Sequence, residues 1–174
     1  MLRSLALLCL VLASTALAAD KPNFVFILCD DLGYGDVKCN NPEGKIATPH
    51  MDRMAARGMR FTDAHSSSSV CSPTRYGVMT GRYNWRSKLQ SGVLGGLSPR
   101  LIEDGRMTVA SMLKSQGYKT AAVGKWHLGM DWVKHSGKDV AELNIESAQQ
   151  VNSVDFTKPA ANTPTAVGFD YYFG

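Results

Sequence analysis

Asn-Phe-Val-Phe-Ile-Leu-Cys, residues 23–29, runs directly into Asp30-Asp31-Leu32-Gly33-Tyr34-Gly35-Asp36. The first seven residues are a near-continuous apolar run of strand formers, the pattern of a strand covered by helices on both faces of a parallel sheet. The acidic pair falls where that strand would end. In open α/β sheets ligands collect beyond the carboxyl ends of the strands, which makes Asp30 and Asp31 candidate site residues. Neighbouring residues of an extended chain point to opposite faces, so both carboxylates reach one ion only if the backbone bends. Gly33 and Gly35 permit such a bend. Two adjacent carboxylates repel, and their hard oxygens suit calcium or magnesium; taken alone, an acidic pair is more often a solvated loop.

Working outward, Thr48-Pro49 opens a helix with Met51, Met54 and Ala55 as its apolar stripe and Gly58 as its stop. Residues 59–64 read as a short strand, 66–70 as a serine-rich loop, and 73–80 as a helix closed by Gly81. Residues 82–100 are irregular. Thr108 caps a further helix whose stripe is Val109, Met112 and Leu113 and which ends at Gly117. A second buried strand, 118–123, leads into Gly124-Lys125-Trp126-His127-Leu128-Gly129. Beyond Asp131 the pattern weakens into a polar insertion containing Pro159 and Pro164. Alternating strands and helices predict an α/β fold with a mainly parallel sheet flanked by helices. Asp30-Asp31 and Lys125-His127 both follow predicted strands and would face one crevice.

The chain has 174 residues, 44% hydrophobic and 20% charged, the balance of a globular protein. Its net charge is +4, or +3 without Arg3, and no Lys/Arg block stands out, so a nucleic-acid partner is not indicated. Residues 1–19 read as a secretory signal: Arg3, an apolar run from Leu5 to Leu17, and small residues at Ala16-Leu17-Ala18. That run is shorter than the roughly 20 residues of a spanning helix, so a membrane anchor is not indicated either. An exported product follows, periplasmic, extracellular or lysosome-like. Without Cys9 of the leader, three cysteines remain. Cys29, inside an apolar run, reads as a buried free thiol, although pairing with Cys39 stays open. No Asn-x-Ser/Thr acceptor occurs.

Cys71-Ser72-Pro73-Thr74-Arg75 lies ahead of the helix after the serine loop. A cysteine at a helix start, with an Arg one turn on, sits where negative charge is favoured, as in a thiol enzyme. The Cys-x-Pro-x-Arg spacing, however, resembles the signature of the sulfatase family. Residues 23–36 look like that family's opening block. Thr80-Gly81-Arg82, residues 117–129, and Gly168-Phe169-Asp170-Tyr171-Tyr172-Phe173-Gly174 are similar to later blocks, in the same order. The resemblance spans nearly all of the chain after the leader and implies an alkaline-phosphatase-like superfold, with residues 20–174 as the amino-terminal part of a catalytic domain, incomplete in this chain.

The resemblance also implies chemistry. Cys71 would be oxidised to formylglycine by a maturing enzyme, and the hydrated aldehyde offers two hydroxyls on one carbon. One attacks the sulfur of a bound sulfate ester; deprotonation of the other expels sulfate and restores the aldehyde. Asp30, Asp31 and position 71 would hold a calcium ion that lowers the pKa of the attacking hydroxyl. Arg75 would hold the diol, Lys125 would contact the sulfate, and His127 would act as base in the release step. The substrate would be a sulfated small molecule or carbohydrate. A later Asp-Asn pair and a later His and Lys of the family have no counterpart here, so the 174 residues alone are expected to turn over little sulfate ester. Three alternatives remain open: a phosphonate or phosphate monoester hydrolase of the same superfold, a thiol enzyme using unmodified Cys71, and a non-catalytic sulfated-glycan binding module. His50, His65 and His135 read as structural or exposed, and Trp85, Trp126 and Trp132 as pocket lining or core.

Overall fold

Three α-helices and one parallel strand pair carry the regular structure of a computed structural model that describes residues 21–135 and 151–174. The leader expected over 1–19 and part of the polar insertion lie outside the described residues. Helix α1 is Pro49–Arg57, α2 Cys71–Thr80 and α3 Val109–Ser115; strand β1 is Ala121–Val123 and β2 Tyr171–Phe173. The chain divides into two compact units, Met1–Met54 and Ala55–Gly174.

In the first unit Thr48 and Asp52 tie the start of α1 to the preceding loop. Thr48 Oγ1 accepts from the Lys38 N–H at 2.9 Å and donates to Asp52 Oδ1 at 3.1 Å, while Asp52 Oδ1 also accepts from the Cys39 N–H at 2.8 Å. The predicted strand at 23–29 is not found. Those residues form no strand among the described residues, and Val25 and Phe26 are 86% and 71% exposed. Strand composition records what a segment tolerates, whereas a strand also needs a neighbouring ladder. For the same reason Cys29 is exposed rather than buried; it forms no disulfide, and neither does Cys39 or Cys71. The stripe of α1 is likewise unburied, with Met54 exposed.

The core lies in the second unit. Tyr76 and Met79 of α2 meet Leu89, Leu94, Leu101, Ile102, Ala110, Leu128 and Val167, with Trp126 and Phe169 packed alongside. Helix α2 ends as expected: Gly81 is left-handed at φ 66 and its N–H reaches the Gly77 carbonyl. Thr108 caps α3, accepting from the Ser111 N–H at 3.0 Å and donating to the Val167 carbonyl. The face that α3 buries differs from the predicted one: Ala110 is buried, whereas Val109 and Met112 are exposed. A seven-residue helix turns barely twice, so Ala110 alone seats it against the core. Gly168, at φ 113, lies so close to Ser111 that a Cβ there would strike the Ser111 backbone.

The second predicted strand is real but short. β1 pairs in parallel with β2, Ala121 opposite Tyr171 and Val123 opposite Phe173, while residues 118–120 stay outside it. Val123 is 75% exposed, so this pair is not buried on both faces. Residues 59–64 form no strand. The described part of the insertion folds back onto 131–135 through antiparallel bridges, Asp131 with Ala161 and Lys134 with Val154. No helix among the described residues is long and apolar enough to cross a membrane.

Candidate active site

Cys71 opens α2. Val70 before it is extended, at φ −133 and ψ 166, and supplies no side-chain cap. Pro73 falls in the first turn, where its missing N–H costs nothing. Thr74 Oγ1 lies 2.8 Å from the Val70 carbonyl and 2.9 Å from that of Ser68, so the first turn is tied to the serine loop. Ser72 is fully buried, and its Oγ accepts from the Leu94 N–H at 3.1 Å. The first-turn amides and the positive end of the helix dipole therefore surround position 71.

The loop after β1 brings the other groups in. The Gly124 N–H extends the ladder to the Phe173 carbonyl at 2.8 Å. Leu128 is buried, its carbonyl accepting from the Leu101 N–H. Gly129, at φ 74, sits against the Pro99 carbonyl, which leaves no room for a Cβ. Trp126 donates its indole N–H to the Gly129 carbonyl and packs edge-on to Phe169. With the loop fixed at these points, Lys125 Nζ reaches Cys71 Sγ at 3.6 Å, and Arg75 donates to the Lys125 carbonyl at 2.6 Å. Lys125 thus links the two residues of α2, touching Cys71 through its ammonium and Arg75 through its carbonyl. His127 shares the loop in a left-handed conformation, φ 54, and its Nε2 lies 2.7 Å from the Leu94 carbonyl. It is linked to the start of α2 through Leu94 and Ser72.

A cavity of about 620 Å³ opens beside this cluster, lined among others by Gly95, Lys125, His127, Trp132 and Tyr172. Gly124 and Gly174, which follow β1 and β2, also line it, so it stands beyond the carboxyl ends of the parallel pair, the place where α/β folds bind ligands. Of the three tryptophans considered, Trp126 and Trp132 line it. Trp85 instead stacks on Tyr83 at 4.0 Å and is exposed. Burial raises the Tyr172 phenol, which keeps it a neutral donor.

Asp30 and Asp31 belong to the other unit. The bend expected from the glycines falls on Asp31 itself, at φ 59, a left-handed conformation uncommon for a residue with a side chain. Two carboxylates match a hard cation in kind, but calcium takes six to eight oxygens. Among the described residues no group of three or more His, Cys, Asp or Glu side chains gathers. The donors present therefore do not make up a calcium site by themselves. His65 pairs with Asp63 in solvent, and His50 bonds Arg53 on an exposed face.

Two participants escaped the sequence reading. Ser72 stood inside the motif with no role attached. Leu94 acts through its peptide group, which no side-chain pattern announces.

A sulfatase family profile matches residues 22–174. The chain is 37% identical over 155 residues to an N-acetylgalactosamine-6-O-sulfatase of Bacteroides thetaiotaomicron, covering 89% of this chain and 26% of that protein. It is 42% identical to human arylsulfatase A over 123 residues, 71% of this chain and 24% of the relative. The chain thus spans about a quarter of the length of the curated relatives it matches. Among solved structures, one from work on glycosaminoglycan metabolism by Bacteroides thetaiotaomicron superposes with a TM-score of 0.71 at 37% identity, over 88% of this chain and 28% of that one. Ps i-CgsB in complex with k-i-k-neocarrahexaose superposes at 0.65 with 30% identity, over 88% and 28%.

Proposed function

Because this chain belongs to the sulfatase family, we propose that it serves hydrolysis of sulfate esters at position 71, with Cys71 converted to formylglycine by a maturing enzyme. The observation that carries this reading is the Lys125 ammonium lying 3.6 Å from Cys71 Sγ at the head of α2. The hydrated aldehyde supplies two hydroxyls on one carbon, one to accept the sulfuryl group and one to drive its release. Everything else falls to residues of the chain.

Lys125 holds the sulfate anion against position 71, and the first-turn amides of α2 add donors where negative charge accumulates. Arg75 fixes the Lys125 backbone and adds a second positive charge beside the anion. His127 takes the proton from the second hydroxyl as sulfate leaves. Asp30 and Asp31, together with position 71, would hold a calcium ion, which would lower the pKa of the attacking hydroxyl. Residues 20–174 make up the amino-terminal part of the catalytic domain, consistent with a match to about a quarter of the relatives' length. Residues 1–19 direct export. The substrate is a sulfated carbohydrate, in keeping with the name of the N-acetylgalactosamine-6-O-sulfatase and with the oligosaccharide in the Ps i-CgsB complex.

The test compares an aryl sulfate with the matching aryl phosphate, using protein coexpressed with a formylglycine-generating enzyme. Turnover by the 174-residue chain is expected to be low, confined to the sulfate, and abolished by Cys71→Ala. Hydrolysis that persists in Cys71→Ala, or that favours the phosphate, overturns the proposal.

A further inference from the structure

We propose that Ser72, acting through the Leu94 peptide, sets the tautomer and aim of His127, so that Nδ1 is the ring nitrogen offered to the reacting group. The inference rests on the reading of His127 as the residue that moves a proton in sulfate release, and it adds which nitrogen does so and what holds it there.

The chain of contacts is continuous. Ser72 is 0% exposed and its Oγ accepts from the Leu94 N–H at 3.1 Å. Leu94 is 2% exposed, and its carbonyl lies 2.7 Å from His127 Nε2. A carbonyl oxygen has no proton to give, so Nε2 is the donor and carries the hydrogen. In a neutral imidazole the lone pair then resides on Nδ1. That atom is buried and has no hydrogen-bond partner among the described residues. A buried acceptor left without a donor is costly unless a donor arrives in the working cycle. A hydroxyl of the reaction is such a donor. The left-handed backbone of His127, φ 54, fits a residue held in an unfavourable conformation for a purpose at the site.

Ser72 is thus a positioning residue. It lies next to Cys71 in sequence, and its hydroxyl, through the Leu94 peptide, reaches the base. Without its hydroxyl the Leu94 N–H loses its acceptor at that point, the peptide loses that anchor, and its carbonyl no longer selects one tautomer.

Nitrogen-15 NMR of the full chain, at a pH where the ring is neutral, reads this directly. Wild type is expected to give a single His127 signature with Nε2 protonated and Nδ1 bare; a protonated Nδ1 overturns the proposal. Ser72→Val should lose the single-tautomer signature, whereas Ser72→Thr, of the same shape but with the hydroxyl, should retain it. An unchanged signature in Ser72→Val overturns the role of Ser72. Should both variants fail to fold, the wild-type spectrum still decides whether Nδ1 is the bare nitrogen. In matured, active enzyme, loss of the Ser72 hydroxyl should lower kcat while leaving KM near its wild-type value. Turnover that survives Cys71→Ala would overturn the sulfatase reading and leave the tautomer result standing, so the two failures are separable.

Discussion

Lys125 is held twice, by its carbonyl through Arg75 and by its ammonium at Cys71 Sγ. The double anchorage matters because a flexible lysine gains little from one exposed contact, whereas a fixed one is already aimed where charge develops. In matured enzyme Lys125→Ala should lower kcat/KM on an aryl sulfate by on the order of 10²-fold. A change of less than about 1.4 kcal/mol, a factor of ten, would mean that the contact does not carry over to the reacting anion. Arg75→Lys keeps a charge but loses the planar fork, and its kcat/KM should fall as well, without rescue. Cys71, Lys125 and His127 were singled out in the sequence because each sits in a motif with a fixed offset from glycine or proline, and the structure puts Lys125 beside Cys71. Their linkage was not legible in the sequence. Contacts made through the Leu94 peptide depend on where residues 82–100 fold, and that loop has no periodicity to read.

The helices were the most legible elements, since caps are local. Thr108, Gly81 and Gly117 act on residues within one turn of themselves. Strands were the least legible, because pairing is non-local: the run at 23–29 has strand composition yet forms no strand, while the modest segment 121–123 does. Side-chain bonds across the sequence decide the second case. Asp170 accepts from Lys114 Nζ at 2.8 Å and from the Thr120 N–H at 2.9 Å, and so fixes the register of β1 and β2. Its carboxyl is held down at about 2 against an ordinary 3.8, first by the Lys114 bond and then by the Thr120 N–H. A depressed folded value means that the contribution is full above pH 3.8 and is lost as the pH falls through about 2. Asp170→Asn should therefore flatten the acid limb of stability in that window, measured by urea unfolding at stepped pH. An unchanged limb would show that Asp170 is not ionised against Lys114. Thr108→Val should cost about 1–2 kcal/mol, because it removes both the cap on Ser111 and the bond to the Val167 carbonyl. Gly168→Ala should cost about 1–3 kcal/mol through its left-handed backbone and the approach of Ser111.

At the scale of the whole molecule, the core of the second unit is covered while much apolar surface is not. Val25, Phe26, Val123 and Phe173 are each more than two-thirds exposed. Such surface normally meets a partner or another part of a fold. The purified 174-residue chain should bind a hydrophobic dye such as ANS and self-associate with rising concentration, read by fluorescence and sedimentation. A monodisperse chain that leaves the dye dark would contradict this exposure. The α/β class with a parallel sheet was legible from the alternation, although the strands expected at 23–29 and 59–64 are not found. The extent of the sheet was not, since composition cannot say which neighbours are at hand to pair.

The proposed chemistry requires position 71 to be a carbonyl precursor rather than a working thiol. Mass spectrometry of the peptide containing Cys71, from protein coexpressed with a formylglycine-generating enzyme, tests it most directly. The expected product has lost its sulfur, resists thiol alkylation and reacts with a hydrazide. A peptide that remains fully alkylatable at Cys71 would show a working thiol instead.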